Sequence, residues 1–329
     1  MKAHIIGTGS YIPQRVVTND DLARRVDTSD RWIVERTGIR ERRIAAPEEA
    51  TSDLAVHAAR AALAAADLSP DAVDLILVAT ATPDMLFPST ACIVQDRLKA
   101  VHAAAFDLSA ACSGFLYALS VGEQYIRSGT YKKVLVIGAE VMSRIVNPDD
   151  RGTCILFGDG AGAVVLSAMR AATRAERGIL SCHLHSDGAL WDLIHVPGGG
   201  SAQPPSERVL AERLNTIRMK GNETFKVAVR MMEEVAREAL AAHGLNASDV
   251  TWWIPHQANL RILRALAQRL EIEMARVVVN LDRVGNTSAA SIPLALDEAV
   301  RDGRIARGDL LLLLAFGGGL TWAASVLRW

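Results

Sequence analysis

The chain has 329 residues, 36 Lys and Arg against 37 Asp and Glu, and half of its residues are hydrophobic. That is too long for one ordinary core and too apolar for a disordered chain, so two folding units are expected, either unrelated domains or one unit used twice. A formal net charge of −1 excludes the broad basic field of a general nucleic-acid binder and leaves room only for local patches.

In chain order, short β-branched or Leu-rich runs predict buried strands at residues 4–6, 73–79, 103–108, 134–137, 163–166, 250–254, 277–281 and 310–315. Helical patterns fall between them at residues 52–66, 114–127, 223–243 and 291–301. Apolar strands alternating with amphipathic helices predict an α/β fold whose sheets are covered on both faces. The Gly- and Pro-containing stretch 196–205 reads as a loop or linker. The longest apolar run, 310–316, is far short of the roughly 20 residues that span a bilayer, and the N-terminal apolar stretch is too short for a signal peptide. The four cysteines, Cys92, Cys112, Cys154 and Cys182, form no CxxC pair. Together these features predict a cytoplasmic protein without membrane or nucleic-acid partners.

The chain also resembles itself. Residues 65–83 lie against 242–260 at an offset of 177, each reading as a helix end, a turn and a buried strand. Further on, an offset of 174 sets Cys112 opposite Asn286 and Gly129 opposite Gly303, which is expected to reflect a loop-length change. Two similar halves follow, residues 1–172 carrying Cys112 and residues 173–329 carrying His256 and Asn286.

Cys112 stands where a buried strand ends and an apolar-faced helix begins, among small neighbours. A helix N-terminus there is expected to favour the thiolate. His256, in WWIPHQANLRI, and Asn286, in LDRVGNTSAASIP, also follow buried strands. Ligands of open α/β folds gather at strand carboxyl ends, so the three groups are expected to converge there. Taken singly, each residue reads as readily as a core cysteine, a satisfied core histidine and a turn or capping asparagine. Their shared placement is what favours chemistry. GTGSYIP at Gly7 and GDGAGA at Gly158 lack dinucleotide-binding spacing and read as turns of close backbone approach. Cys182, His183 and His185 could offer metal ligands, the two histidines on one face if the segment is a strand, but no second ligand pair follows. No metal is therefore expected. The run Arg36, Arg40, Arg42 and Arg43 reads as a solvated basic face.

From end to end, the chain resembles β-ketoacyl-[acyl carrier protein] synthase III, a condensing enzyme of the thiolase-fold superfamily. The resemblance rests on TSDRWIVERTGIRERRIAAP, ACSGF, DRGTCILFGDGAGA, MKGNETFKVAV, PHQANLRI, GNTSAAS and AFGGGLTW, in that order. It implies a thiolase-like body layered α-β-α-β-α, with Cys112 as nucleophile and His256 and Asn286 completing a triad. It also implies an oxyanion hole from the N–H groups of Cys112 and Gly318. Thr28, Trp32, Arg36, Arg151 and Gly152 match positions that hold coenzyme A, and Phe87 and Phe316 match an acyl pocket, Phe87 reaching across a homodimer interface. Lys226, Arg261 and Arg264 match a basic face that docks acyl carrier protein. The implied reaction is decarboxylative condensation of an acyl-CoA primer with malonyl-[acyl carrier protein], with no cofactor because acyl-CoA is a substrate. A thiolase would need a second cysteine, which AFGGGLTW does not offer, and chain-elongating synthases use two histidines. A specialised synthase with another primer or acceptor, or a non-catalytic acyl-CoA-binding paralogue, would share much of this pattern.

Overall fold

The computed structural model describes residues 1–169 and 177–329. The expected boundary between residues 172 and 173 lies outside them. In the first half, strand β1 (Lys2–Tyr11) leads to helix α1 (Thr51–Ala65), β2 (Leu75–Ala79), α2 (Thr90–Leu98), β3 (Ala104–Leu108), α3 (Gly114–Ser128), β4 (Lys133–Val141) and β5 (Asp159–Met169). They build a sheet of order β1-β5-β4-β2-β3, with β2 parallel to both β3 and β4, and β5 antiparallel to its neighbours. The second half runs β6 (Gly178–Ser186), α4 (Gly221–Ala241), β7 (Trp252–Pro255), α5 (Leu260–Arg269), α6 (Ser291–Arg301), β8 (Leu310–Gly317) and β9 (Thr321–Arg328). Its sheet has the order β7-β8-β9-β6, with one parallel pair, β7 and β8.

The continuous apolar runs are explained by burial on both faces. In β4, Val134 and Val136 join the central core while Leu135 and Ile137 join an outer one. In β8, Leu311 and Leu313 face the centre, and Leu312 and Leu314 face outward. α3 and α6 lie between the sheets, with Leu116, Leu119, Ile292 and Leu296 in the central core. α1 and α2 cover the first sheet, and α4 and α5 cover the second. The result is the layered α-β-α-β-α body.

Four expectations change. The predicted strand at 277–281 shrinks to one parallel bridge, Trp253 to Val277, where the first half has β3. Asn280 leaves the ladder because its N–H donates to the Gln257 side chain and its amide to Glu298, and Leu281–Val284 then turn helical. The second correction concerns the glycine-rich segments, which belong to β1 and β5 rather than to turns. Close approach is their function all the same, since a Cβ on Gly9 would stand 2.2 Å from the Ala62 nitrogen of α1. Thirdly, the alignment of the halves keeps its offset of 177. Ala111 (φ 45°) and Ser288 (φ 49°) each open a short 3₁₀ turn before a central helix, so Cys112 sits opposite Ala289 rather than Asn286. The 174 spacing of Gly129 and Gly303 comes from the shorter α6, not from a loop before it. Finally, Arg42 is not on a solvated face. It is 1% exposed and donates to the carbonyls of Val17 and Ile155 and to Asn19 Oδ1.

Candidate active site

The two halves meet at the carboxyl ends of their parallel strands, as open α/β sheets dictate for ligand sites. The turn Ala111–Ser113 after β3 carries Cys112. Gly317, at the end of β8, must be a glycine because a Cβ there would stand 2.7 Å from the Cys112 nitrogen. Cross-links hold this junction: Thr321 Oγ1 donates to Ala110 O at 3.1 Å, and Ser113 Oγ donates to Thr321 O at 3.0 Å. Gly318 is thereby set beside Cys112 on the wall of one cavity of about 1160 Å³.

His256 follows β7, and its backbone N–H donates to Leu314 O at 2.7 Å. Its Nδ1 faces Ser291 Oγ at 2.7 Å. That oxygen also accepts from the Gln257 N–H at 3.4 Å; with the serine proton donated to Nδ1, the imidazole proton sits on Nε2. Burial lowers the His256 pKa to about 4, so the ring is neutral. Asn286 is also buried. Its N–H donates to Leu156 O, and its carbonyl accepts from Gly158 N–H. Its Oδ1 accepts from Ser288 N–H at 2.9 Å, which leaves the amide NH₂ free to donate. Cys112, His256, Asn286, Gly318 and Phe316 all line the cavity. The three polar side chains therefore converge as the strand ends suggested.

The expected thiolate stabilisation at Cys112 does not carry the balance. The side chain is partly accessible from the cavity, yet enclosure by the walls pushes its thiol up to about 12, with the Glu140 charge adding to the rise and a Ser288 hydrogen bond opposing it. The resting group is a thiol.

At the mouth, the Arg36 guanidinium sits 4.2 Å from the Trp32 ring centroid and that of Arg151 4.9 Å. Trp32, Arg36 and Gly152 line the cavity, and Arg151 donates to Asp27 O at 2.8 Å. Thr28 Oγ1 is buried without a partner. On the opposite rim, Lys226 and Arg261 line the opening, Arg261 over the Phe225 ring, and Arg264 is exposed on the same helix, α5. Phe87 is the exception. It is 84% exposed, outside the cavity of a single chain.

His183 and His185 do share one face of β6, but His183 Nδ1 and His185 Nε2 are taken by the Glu238 carboxylate, at 2.9 and 2.6 Å. Among the described residues no group of side chains is arranged to hold a metal. Sequence reasoning missed Ser291, Ser288 and Glu140. A carboxyl inside the apolar run VLVIGAEV was the signal available for the last.

Two family profiles match, 3-oxoacyl-[acyl-carrier-protein] synthase III over residues 106–188 and its C-terminal region over residues 240–329. A β-ketoacyl-[acyl-carrier-protein] synthase III of Alkalilimnicola ehrlichii is 57% identical over 328 residues, 99% of each chain. The solved 3-oxoacyl-[acyl-carrier-protein] synthase III of Aquifex aeolicus superposes with a TM-score of 0.91 at 52% identity, covering 99% of this chain and 100% of that one. Its counterpart from Pseudomonas aeruginosa gives 0.91 at 44% identity, covering 100% and 98%. With the fold, the cavity and these full-length likenesses in agreement, the chain belongs to the β-ketoacyl-[acyl carrier protein] synthase III family of condensing acyltransferases.

Proposed function

We propose that Cys112, His256 and Asn286 carry out the decarboxylative condensation of an acyl-CoA primer with malonyl-[acyl carrier protein], the step by which this family initiates type II fatty acid synthesis. The observation that carries the assignment is the convergence of these three side chains, from both halves, on one cavity that Gly318 also lines.

Cys112 attacks the primer thioester, the oxyanion rests on the N–H groups of Cys112 and Gly318, and CoA leaves. Malonyl-carrier protein then places its thioester carbonyl against the His256 Nε2–H and the Asn286 amide. Loss of CO₂ generates an enolate held by these two donors, each worth about 3 kcal/mol of barrier. The carbanion takes the acyl group from Cys112. No electron is exchanged and CO₂ release drives the carbon–carbon bond, so neither metal nor redox cofactor is called for.

Trp32 offers a flat face to adenine, Arg36 and Arg151 offer charge to the CoA phosphates, and Thr28 and Gly152 flank them. Phe316 borders the acyl group. Lys226, Arg261 and Arg264 form the patch for the acidic carrier protein. Phe87, Leu86 and Phe106 are exposed, and Phe106 lies on the sheet-edge strand β3. A homodimer built on that edge covers them and brings Phe87 to the partner's acyl pocket. Each half, 1–172 and 173–329, acts as one thiolase-like unit. We place the enzyme in the cytoplasm, where both substrates are made. No helix among the described residues is long and apolar enough to cross a membrane.

Incubation with a panel of acyl-CoAs, followed by intact-mass measurement, tests the covalent step. An adduct that Cys112→Ala abolishes is expected, and no adduct with any primer would sink the mechanism.

A further inference from the structure

The covalent step leaves a proton unaccounted for. Cys112 rests as a thiol, and with the imidazole proton assigned to Nε2, as the enolate role requires, His256 has no free lone pair to take the thiol proton, since its Nδ1 faces Ser291 Oγ at 2.7 Å. A second group stands behind the sulfur. Glu140, near the end of β4, has no exposed surface. Asp297, equally buried, is paired with Arg301 at 2.9 Å, whereas Asp159 is held by N–H and hydroxyl donors. Glu140 has no ion pair among the described residues and is held by hydrogen-bond donors alone. Thr82 Oγ1 donates at 2.6 Å and Thr80 Oγ1 at 3.2 Å, while Ala81 N–H straddles both carboxylate oxygens at 3.2 and 3.1 Å. Both threonine oxygens accept backbone N–H groups, Thr82 from Val141 and Thr80 from Thr82, which leaves their protons for Glu140.

Ala289 N–H adds a backbone bond, and a further donor is Ser288, whose Oγ lies 2.9 Å from Glu140 Oε1. Ser288 lines the same cavity as Cys112, on a short turn packed against the turn that carries the cysteine. A hydroxyl has one proton. With that proton given to Glu140, the serine oxygen turns a lone pair toward the Cys112 S–H. Ser288 thus links the Glu140 carboxylate to the cavity wall that carries Cys112.

We propose that Glu140, acting through Ser288, takes the Cys112 proton during acylation and returns it when the acyl group leaves. The inference rests on Cys112 as the nucleophile. As the sulfur attacks, its proton passes to Ser288 Oγ, and the serine proton passes to Glu140 Oε1. The new bond is sulfur to acyl carbon, and the broken one is acyl carbon to the CoA sulfur, which departs as a thiolate and is protonated by water. Glu140 is then neutral, so the acyl-enzyme presents no buried negative charge to the incoming malonyl carboxylate. Decarboxylation restores one negative charge as the enolate. Attack on the acyl carbonyl moves that charge to the Cys112 sulfur, which recovers its proton from Glu140 through Ser288. One solvent proton is consumed per turnover, as the overall reaction requires. Burial without a cation, which raises the affinity of Glu140 for a proton, suits this task.

The test compares wild type, Ser288→Ala and Glu140→Gln by rapid-quench mass spectrometry of the Cys112 peptide, with acetyl-CoA and with iodoacetamide as probes. Ser288→Ala is the cleaner variant, because Asn286 is held by the Ser288 backbone N–H, which alanine retains. Both variants should modify Cys112 about a hundredfold more slowly at neutral pH and recover as pH rises. Malonyl-carrier-protein decarboxylation should persist in Ser288→Ala. If Glu140 were only a spectator charge, its removal would lower the thiol pKa and speed both reactions. Rates that are unchanged or raised in Ser288→Ala or in folded Glu140→Gln overturn the proposal. Should Glu140→Gln fail to fold, Ser288→Ala decides alone. A wild type that iodoacetamide modifies but no acyl-CoA acylates would fault the nucleophile assignment, while the iodoacetamide series still decides the relay.

Discussion

Enclosure moves the thiol of Cys112 and the imidazole of His256 in opposite directions on the pH scale, up to about 12 and down to about 4, and in both cases toward the neutral form. For His256 the consequence reaches stability. The unfolded chain binds this proton near pH 6.5 and the folded chain only near pH 4. The stabilisation is thus complete above 6.5 and is lost as pH falls from 6.5 toward 4, about 3 kcal/mol in total. His256→Gln should remove about 2 kcal/mol of the difference in urea-unfolding free energy between pH 7 and pH 5. An unchanged difference would contradict a buried neutral imidazole. Asn286→Ala should still be acylated by acyl-CoA, because its amide is assigned to the enolate, while release of CO₂ from malonyl-carrier protein falls by about a hundredfold or more. Loss of both half-reactions together would refute the division of labour.

At the scale of elements, catalysis depends on how closely the end of β8 approaches the turn before α3. In Gly317→Ala the new Cβ would stand 2.7 Å from the Cys112 nitrogen and forces the two elements apart. A shift near 1 Å costs about a hundredfold in rate, and turnover should fall by that order while circular dichroism stays native. Turnover equal to wild type would show that the junction tolerates displacement. The cavity mouth has its own keystone. Arg42 links the strand 15–18, Asn19 and the carbonyl following the helix Arg151–Cys154, and burial lowers its pKa to about 10. Arg42→Met leaves buried carbonyls unpartnered and should cost about 3 kcal/mol of unfolding free energy. A urea midpoint matching wild type would show those bonds to be dispensable.

Over the whole molecule, Leu86, Phe87 and Phe106 are exposed, and the proposed homodimer would cover them. Phe87→Glu should yield monomers in sedimentation and lose acyl-chain selectivity with them. A dimer of undiminished activity would place the interface elsewhere. Much of this body was legible from composition and pattern alone. The strands at 73–79 and 310–315, the helices at 114–127 and 291–301 and the repeat all followed from periodicity, because a sheet covered on both faces demands long apolar runs. β9 and β6 escaped, since their Ser, Thr, His and Cys residues interrupt the apolar signal and the neighbouring strands supply it instead. The motifs flanking Cys112, His256 and Asn286 identified those residues as a set, for their chemistry is local to each strand end. What no local pattern contained was the environment: the Ser291 contact on the imidazole Nδ1, the burial that neutralises the ring, the Arg42 hub and the buried Glu140–Ser288 pair. Sequence determined which groups could react, because residue type and strand ends are written along the chain. Tertiary structure alone decided their protonation, because desolvation and hydrogen bonding arise only when the two halves close around one cavity.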